Sequence, residues 1–146
     1  MKAARTVQLE IPDDLEQAYE VMKELRPHVN YDDFTRLTVL AQAADGYRLV
    51  GRELSGKLIA VMGCRILHDL VHGSHLYIDD LVTTSEARSQ GHGAELLRFA
   101  EGEARRLGLS GLRLCTGIEN EDGKRFYERE GWALRAVAFK KKVSSH

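Results

Sequence analysis

At 146 residues, with 21 Lys and Arg against 22 Asp and Glu, the chain carries a formal charge of −1 and an isoelectric point near 6.6. That length suits one domain whose core is large enough to need no disulfide or metal for stability. The balanced charge argues against nucleic acid as a partner: Lys140-Lys141-Lys142 is too short for a binding arm, and no aromatic stacking platform accompanies it.

Val7, Leu9 and Ile11 alternate with polar residues and predict a first strand, stopped by Pro12-Asp13. Asp13 with Glu16 resembles a capping box, and Leu15, Ala18, Tyr19, Met22 and Leu25 then keep helical spacing as far as Pro27. A second helix is predicted over about residues 31–44, with Phe34, Leu37, Leu40, Ala41 and Ala44 as its apolar face and Gly46 as its end. From Tyr47 the period changes to two. Residues 47–54, the turn Ser55-Gly56 and residues 57–67 predict a hairpin. A polar connector over residues 68–74 leads to another strand over residues 76–83.

The clearest helix begins at Gly91. Leu96, Leu97, Ala100, Ala104 and Leu107 form one stripe, Glu95, Arg98, Glu101 and Arg105 face water, and Gly108 caps the end. Residues 112–116 predict a short, largely apolar and therefore central strand. A last helix over about residues 122–129 is closed by Gly131, and residues 132–143 read as a terminal strand. The order β-α-α-β-β-β-α-β-α-β, without repeats or linkers, predicts one α+β domain spanning residues 1–146 around a mixed sheet, with its core over about residues 5–143.

Cys64 and Cys115 lie in separate apolar runs and predict two buried, reduced thiols. Residues 1–8 lack the apolar segment of a signal peptide, and no stretch approaches the length of a membrane span. The expected location is the cytoplasm, with no membrane partner. His68, His72 and His75 flank the polar connector without helical metal spacing and read as surface histidines, so no metal is expected.

Between the strand ending at Thr83 and the helix starting near Gly93 lies Arg88-Ser89-Gln90-Gly91-His92-Gly93-Ala94. A helix leaves about four N–H groups unpaired at its start and carries roughly half a positive charge there. Glycines at 91 and 93 remove the Cβ atoms that would keep a diphosphate from the main chain, and Arg88 adds a guanidinium suited to phosphate oxygens. A dinucleotide fingerprint would want glycine where Leu96 stands, and the Gly-Lys-Ser/Thr of a P-loop is absent. A glycine-rich turn with no ligand is the competing reading. His92 occupies the variable position of the loop, and its side chain is expected in solvent.

This loop resembles the Arg/Gln-x-x-Gly-x-Gly/Ala of the GCN5-related N-acetyltransferase (GNAT) family. The preceding strand, Leu76-Tyr77-Ile78-Asp79-Asp80-Leu81-Val82-Thr83, is similar to that family's cofactor-contacting strand. The segment from Asn120 through Tyr127 to Trp132 resembles its Asn-x-x-Ala-x-x-Phe/Leu-Tyr-x-x-x-Gly-Phe block, with Gly123 in place of alanine and Trp132 in place of phenylalanine.

The resemblance implies a mixed, mostly antiparallel sheet flanked by helices. It also implies an acetyl-CoA-dependent N-acetyltransferase in which a small-molecule or peptide amine attacks the thioester directly in a ternary complex. Leu81 and Val82 would offer main-chain groups to the pantetheine arm and acetyl carbonyl. Arg88, Gln90, Gly91, His92, Gly93 and Ala94 would hold the pyrophosphate, and Asn120 would contact the cofactor or a strand end. Asp79 is the expected base, Asp80 the binder of the substrate amine, and Tyr127 the acid for the leaving thiolate, the alternative for Tyr127 being a core aromatic with its hydroxyl at the surface. The rival reading of the two aspartates is a pair of solvated strand-end carboxylates. A rival for the whole chain is an acyl-CoA-binding regulatory module without turnover. The helix pair of residues 13–44 and the connector 68–74 would shape the acceptor site, and a homodimer through the terminal strand is expected of such folds.

Overall fold

In the computed structural model, which describes residues 3–144, the elements are β1 (Arg5–Leu9), α1 (Leu15–Met22), α2 (Tyr31–Asp45), β2 (Arg48–Leu54), β3 (Lys57–Asp69), β4 (Gly73–Thr83), α3 (His92–Arg106), β5 (Leu112–Leu114) and α4 (Glu121–Arg129). By its internal contacts the chain divides into two compact units, one running to Leu114 and the other from Cys115.

The first unit is a five-stranded sheet in the order β1-β2-β3-β4-β5, antiparallel except for the β4–β5 pair. The tight turn Ser55-Gly56, with φ of 52° and 78°, joins β2 to β3 as the hairpin pattern requires. β3 is buried from Leu58 to Cys64, on both faces, because helices cover both sides of the sheet. On one side Leu15, Ala18, Val21 and Met22 of α1 and Phe34 of α2 pack with Tyr47, Leu49, Leu58, Val61 and Val82. On the other, α3 lays Leu96, Leu97, Ala100 and Ala104 against the sheet. Each fully buried Leu or Met contributes about 1.5–3 kcal/mol.

Several local expectations change. The α1 N-cap is Asp14, whose Oδ2 accepts the main-chain N–H of Glu10 at 2.7 Å, so the proposed Asp13–Glu16 capping box does not form. Within α2 only Phe34 and Thr38 are buried, while Leu37 and Leu40 are exposed, because the helix meets the core along a narrower stripe than its composition suggests. The polar connector shrinks to residues 70–72, since β3 continues through His68 and Asp69 and β4 starts at Gly73. The Glu95–Arg98 and Glu101–Arg105 pairs line the water-facing side of α3 as expected.

β5 is the last strand of the sheet rather than a central one, and is only half-buried. The terminal strand is not formed. Residues 132–144 have neither helix nor strand, and Leu134, Val137 and Phe139 are exposed, because their main chain finds no ladder among the described residues. The strand on which a homodimer was expected is thus missing. In the second unit Cys115 is exposed, whereas Cys64 in β3 is buried as predicted. No helix among the described residues is long and apolar enough to cross a membrane.

Candidate active site

The β3–β4 ladder is interrupted once. Gly63 faces Asp80 and Cys64 faces Ile78, so Asp79 is an extra residue on β4 without a partner of its own. Such a bulge breaks the strict alternation of side chains, which would otherwise send neighbouring carboxylates to opposite faces. Both instead join one polar network. Asp79 Oδ2 accepts Arg65 Nε at 2.9 Å, and Arg65 reaches on to Asp45 at 2.8 Å. Asp80 Oδ1 accepts Arg26 Nε at 3.1 Å, and its Oδ2 accepts the Tyr47 hydroxyl at 2.7 Å. Arg26 also donates to the main-chain oxygen of Asp79 at 3.0 Å, and the Arg65 guanidinium lies 5.2 Å from the Tyr47 ring centroid.

These aspartates are not solvated strand-end carboxylates. Their side chains are 22% and 17% exposed, and each carries an arginine partner. Burial pushes the Asp79 carboxyl up from its ordinary value, opposed by Arg65. Burial, and then the charge of Asp80, push the Tyr47 phenol well above its usual range, so Tyr47 remains a donor. Both Asp80 oxygens are engaged, which leaves Asp79 as the member of the pair with room for a proton. An incoming amine would meet Asp80 only by displacing Arg26.

β4 pairs with β5 only from Leu76 to Ile78. Beyond that point, no strand among the described residues lies along this edge of β4. Thr84 N donates to Ile59 O at 2.9 Å, so alternation turns the main-chain groups of Val82 and Asp80 toward β3. Those of Leu81 and Thr83 face the free edge. Of the two residues expected to present main chain to a ligand, Leu81 has its N–H and C=O on the free edge, while those of Val82 are turned into the ladder.

A single 3-10 turn, Ser85–Ala87, carries the chain from β4 toward α3. Glu24 anchors it by accepting Ser85 N at 2.9 Å, and Glu24 also lies 3.7 Å from Arg88 Nη2. Gly91 caps α3 with φ of 85°, a conformation costing a side-chain-bearing residue about 1–2 kcal/mol, and no side chain caps the helix. The first intrahelical bond is Glu95 N to Gly91 O at 3.0 Å, so the amides of His92, Gly93 and Ala94 open the helix as unpaired donors. Arg88, Gln90 and Gly91 are exposed beside them. His92 departs from expectation: its ring is buried, 8% exposed, and its Nδ1 has no hydrogen-bond partner. Burial first and the charge of Arg52 next push this imidazole below its ordinary value. The first turn of the amphipathic α3 rolls the ring inward, so only the main chain of His92 is available to a ligand.

In the second unit, Asn120 caps α4. Its Oδ1 accepts Gly123 N at 3.0 Å and its Nδ2 donates to Thr116 Oγ1 at 2.9 Å, so both ends of the side chain are engaged at the start of the helix. A Cβ on residue 123 would collide with the Asn120 amide, which accounts for glycine there. Tyr127 packs edge-on against Phe126 and Trp132 at centroid distances of 5.1 and 6.0 Å, and burial pushes its phenol upward.

A family model described as "Acetyltransferase (GNAT) family" matches residues 10–132. The chain belongs to the GNAT family. It is accordingly an acyltransferase of the N-acetyltransferase class. An uncharacterized N-acetyltransferase, YhdJ of Bacillus subtilis (strain 168), is 30% identical over 137 residues, covering 93% of this chain and 96% of that protein. The aminoalkylphosphonate N-acetyltransferase of Salmonella typhimurium is 34% identical over 96 residues, 65% of this chain and 61% of that protein. Among solved structures, an aminoglycoside N-acetyltransferase in complex with CoA has the same fold, with a TM-score of 0.85 at 17% identity, covering 98% of this chain and 97% of that one.

The GNAT motifs found by sequence omit the residues that hold the two aspartates. Tyr47, Arg26 and Arg65 come from a strand entrance, a helix end and mid-strand, and no spacing rule links them. Two signals were nevertheless present: a charge, Arg65, and a glycine, Gly63, inside an otherwise apolar strand. An interior strand glycine marks a bulge or a close approach. Here it is both, because a Cβ on residue 63 would overlap the Tyr47 hydroxyl.

Proposed function

We propose that this GNAT chain moves the acetyl group of acetyl-CoA onto a small primary amine by direct attack in a ternary complex. The observation that carries the proposal is the continuity of bare main chain from the free edge of β4 at Leu81 and Thr83 to the uncapped entrance of α3 at Gly91. Leu81 N–H would steady the thioester carbonyl, an interaction of the kind that contributes a few kcal/mol when aimed at a developing oxyanion. The amides of residues 90–94, with Arg88, suit a pyrophosphate.

The reaction must handle two protons. A lysine-like amine is mostly cationic at pH 7, and removing its proton costs about 4.6 kcal/mol. Asp79, buried enough to hold a proton yet tied to Arg65, is the base, directly or through water. The free amine forms the C–N bond, the C–S bond breaks, and the second proton, shed by the nitrogen as it becomes an amide, passes directly or through water to the departing thiolate. Asp80 positions Arg26 and Tyr47 around the base. A small amine acceptor is supported by the acceptors named for the relatives, an aminoalkylphosphonate and an aminoglycoside.

The test is acetyl transfer to a panel of aminophosphonates, aminoglycosides and diamines, followed by mass spectrometry of the acceptor. Thermal unfolding with CoA runs in parallel. At about 100 times its Kd, bound CoA adds about 2.7 kcal/mol. Binding without transfer to any amine would favour the regulatory module, and the absence of both would refute the proposal.

A further inference from the structure

The turn between β3 and β4 gathers Asp69, His72 and His75, whose ligating atoms all lie within 4.8 Å of one another. The two histidines read from sequence as surface groups, but His75 is 1% exposed. Its Nδ1 lies 3.1 Å from Gly73 O, which can only accept, so the neutral ring carries its proton there. Nε2 then carries a lone pair, which accepts Arg113 Nε at 3.3 Å, and Asp69 Oδ2 stands 4.0 Å from it. An imidazole whose far nitrogen donates to a main-chain carbonyl is the tautomer that metal-binding histidines adopt. The Asp69 carboxylate is held by the main-chain N–H of His72 at 2.6 Å, and its two oxygens lie 3.1 and 3.2 Å from His72 Nδ1.

We infer that Asp69, His72 and His75 form a binding site for one divalent transition-metal ion of the zinc type. Two imidazoles and one carboxylate suit a borderline cation and leave the fourth tetrahedral position to water. Metal–ligand bonds of about 2.0–2.2 Å place ligands roughly 3.3 Å apart, so the cluster must contract by up to about 1.5 Å. The exposed side chains of Asp69 and His72, at the tip of a hairpin, can make that movement. Arg113 Nε donates to His75 Nε2 at 3.3 Å and must give way, turning toward the Tyr77 ring over which its guanidinium already lies.

The site would be structural. His75 lies six residues along β4 from Leu81, roughly 20 Å at strand spacing, too far to touch a thioester held there. It sits beside the loop that leads from α3 into β5. Ser110 Oγ donates to the main-chain oxygens of His72 and Ser74, and Ser110 N donates to Ser74 O at 2.8 Å. A metal would stiffen the hairpin tip whose main-chain oxygens hold that loop through Ser110.

The experiment titrates the tag-free full-length chain with Zn2+ by calorimetry and with Co2+ by its visible d–d absorption. Expected are one ion per chain and a rise in melting temperature of about 5–10 °C at 100 times the Kd. Asp69→Asn and His72→Gln, each checked for folding by circular dichroism, should each weaken binding at least tenfold. His68→Gln, a neighbour outside the cluster, should leave it unchanged. No binding up to about 1 mM, undiminished binding by His72→Gln, or an equal loss in His68→Gln would overturn the inference.

Discussion

The Tyr47 hydroxyl reaches Asp80 Oδ2 at 2.7 Å through a gap that exists because residue 63 has no side chain. The contact joins the residue before β2 to the bulged part of β4 across β3, and it holds one carboxylate of the candidate site in place. Tyr47→Phe leaves that buried oxygen without its donor and should cost about 1–3 kcal/mol in urea unfolding. Gly63→Ala drives a methyl into the phenol and should cost about as much through overpacking. An alanine variant as stable as the parent would show that the gap is slack.

If Asp79 accepts the amine's proton, its ionised form is the active one. Its carboxyl is raised above 3.8, so the acid limb of kcat/KM should have its midpoint above that value, with activity rising as the pH rises through it. Asp79→Asn should lower kcat/KM by about 10²–10⁴-fold and abolish that limb. An unchanged acid limb in the variant would assign the base elsewhere.

Glu103 of α3 bonds Arg106 at 2.8 Å and pairs with Arg48 of β2 at 2.9 Å, joining the helix to the sheet. The Arg106 hydrogen bonds, then Arg48, bring its carboxyl down from 4.5 to about 2. A depressed carboxylate stabilises the fold above its unfolded value, and that contribution disappears as pH falls from 4.5 toward 2. Glu103→Gln should therefore lose about 1 kcal/mol at neutral pH and show a flatter decline of stability across that window. Acid unfolding followed by circular dichroism reads the slope, and parallel curves for the two proteins would contradict the assignment.

The two thiols should behave differently. Burial pushes Cys64 up to about 11, which leaves almost no thiolate at neutral pH, whereas Cys115 is exposed. A disulfide reagent should titrate one thiol in the native protein and two after denaturation. Cys115→Ser should remove the native reaction, and two fast thiols in the folded chain would place Cys64 at the surface.

The amino-acid pattern alone located every α-helix and five of the six predicted strands, because those signals are local: alternation at Val7 and Leu9, period 3.6 through Leu96 and Ala100, and glycines or prolines at changes of direction such as Pro12, Pro27, Gly46, Gly56 and Gly108. It also located the loop from Arg88 to Ala94, since unpaired amides at a helix entrance follow from covalent geometry wherever a helix begins. Tertiary structure decided the rest. The bulge at Asp79, the capture of Asp80 by Arg26 and Tyr47, the inward turn of His92 and the burial of His75 depend on partners brought from 14 to 54 residues away, or on which face a neighbouring element covers. Residues 132–144 show the same limit from the other side. A strand exists only where another main chain offers it hydrogen bonds, and no spacing of apolar residues can supply that partner.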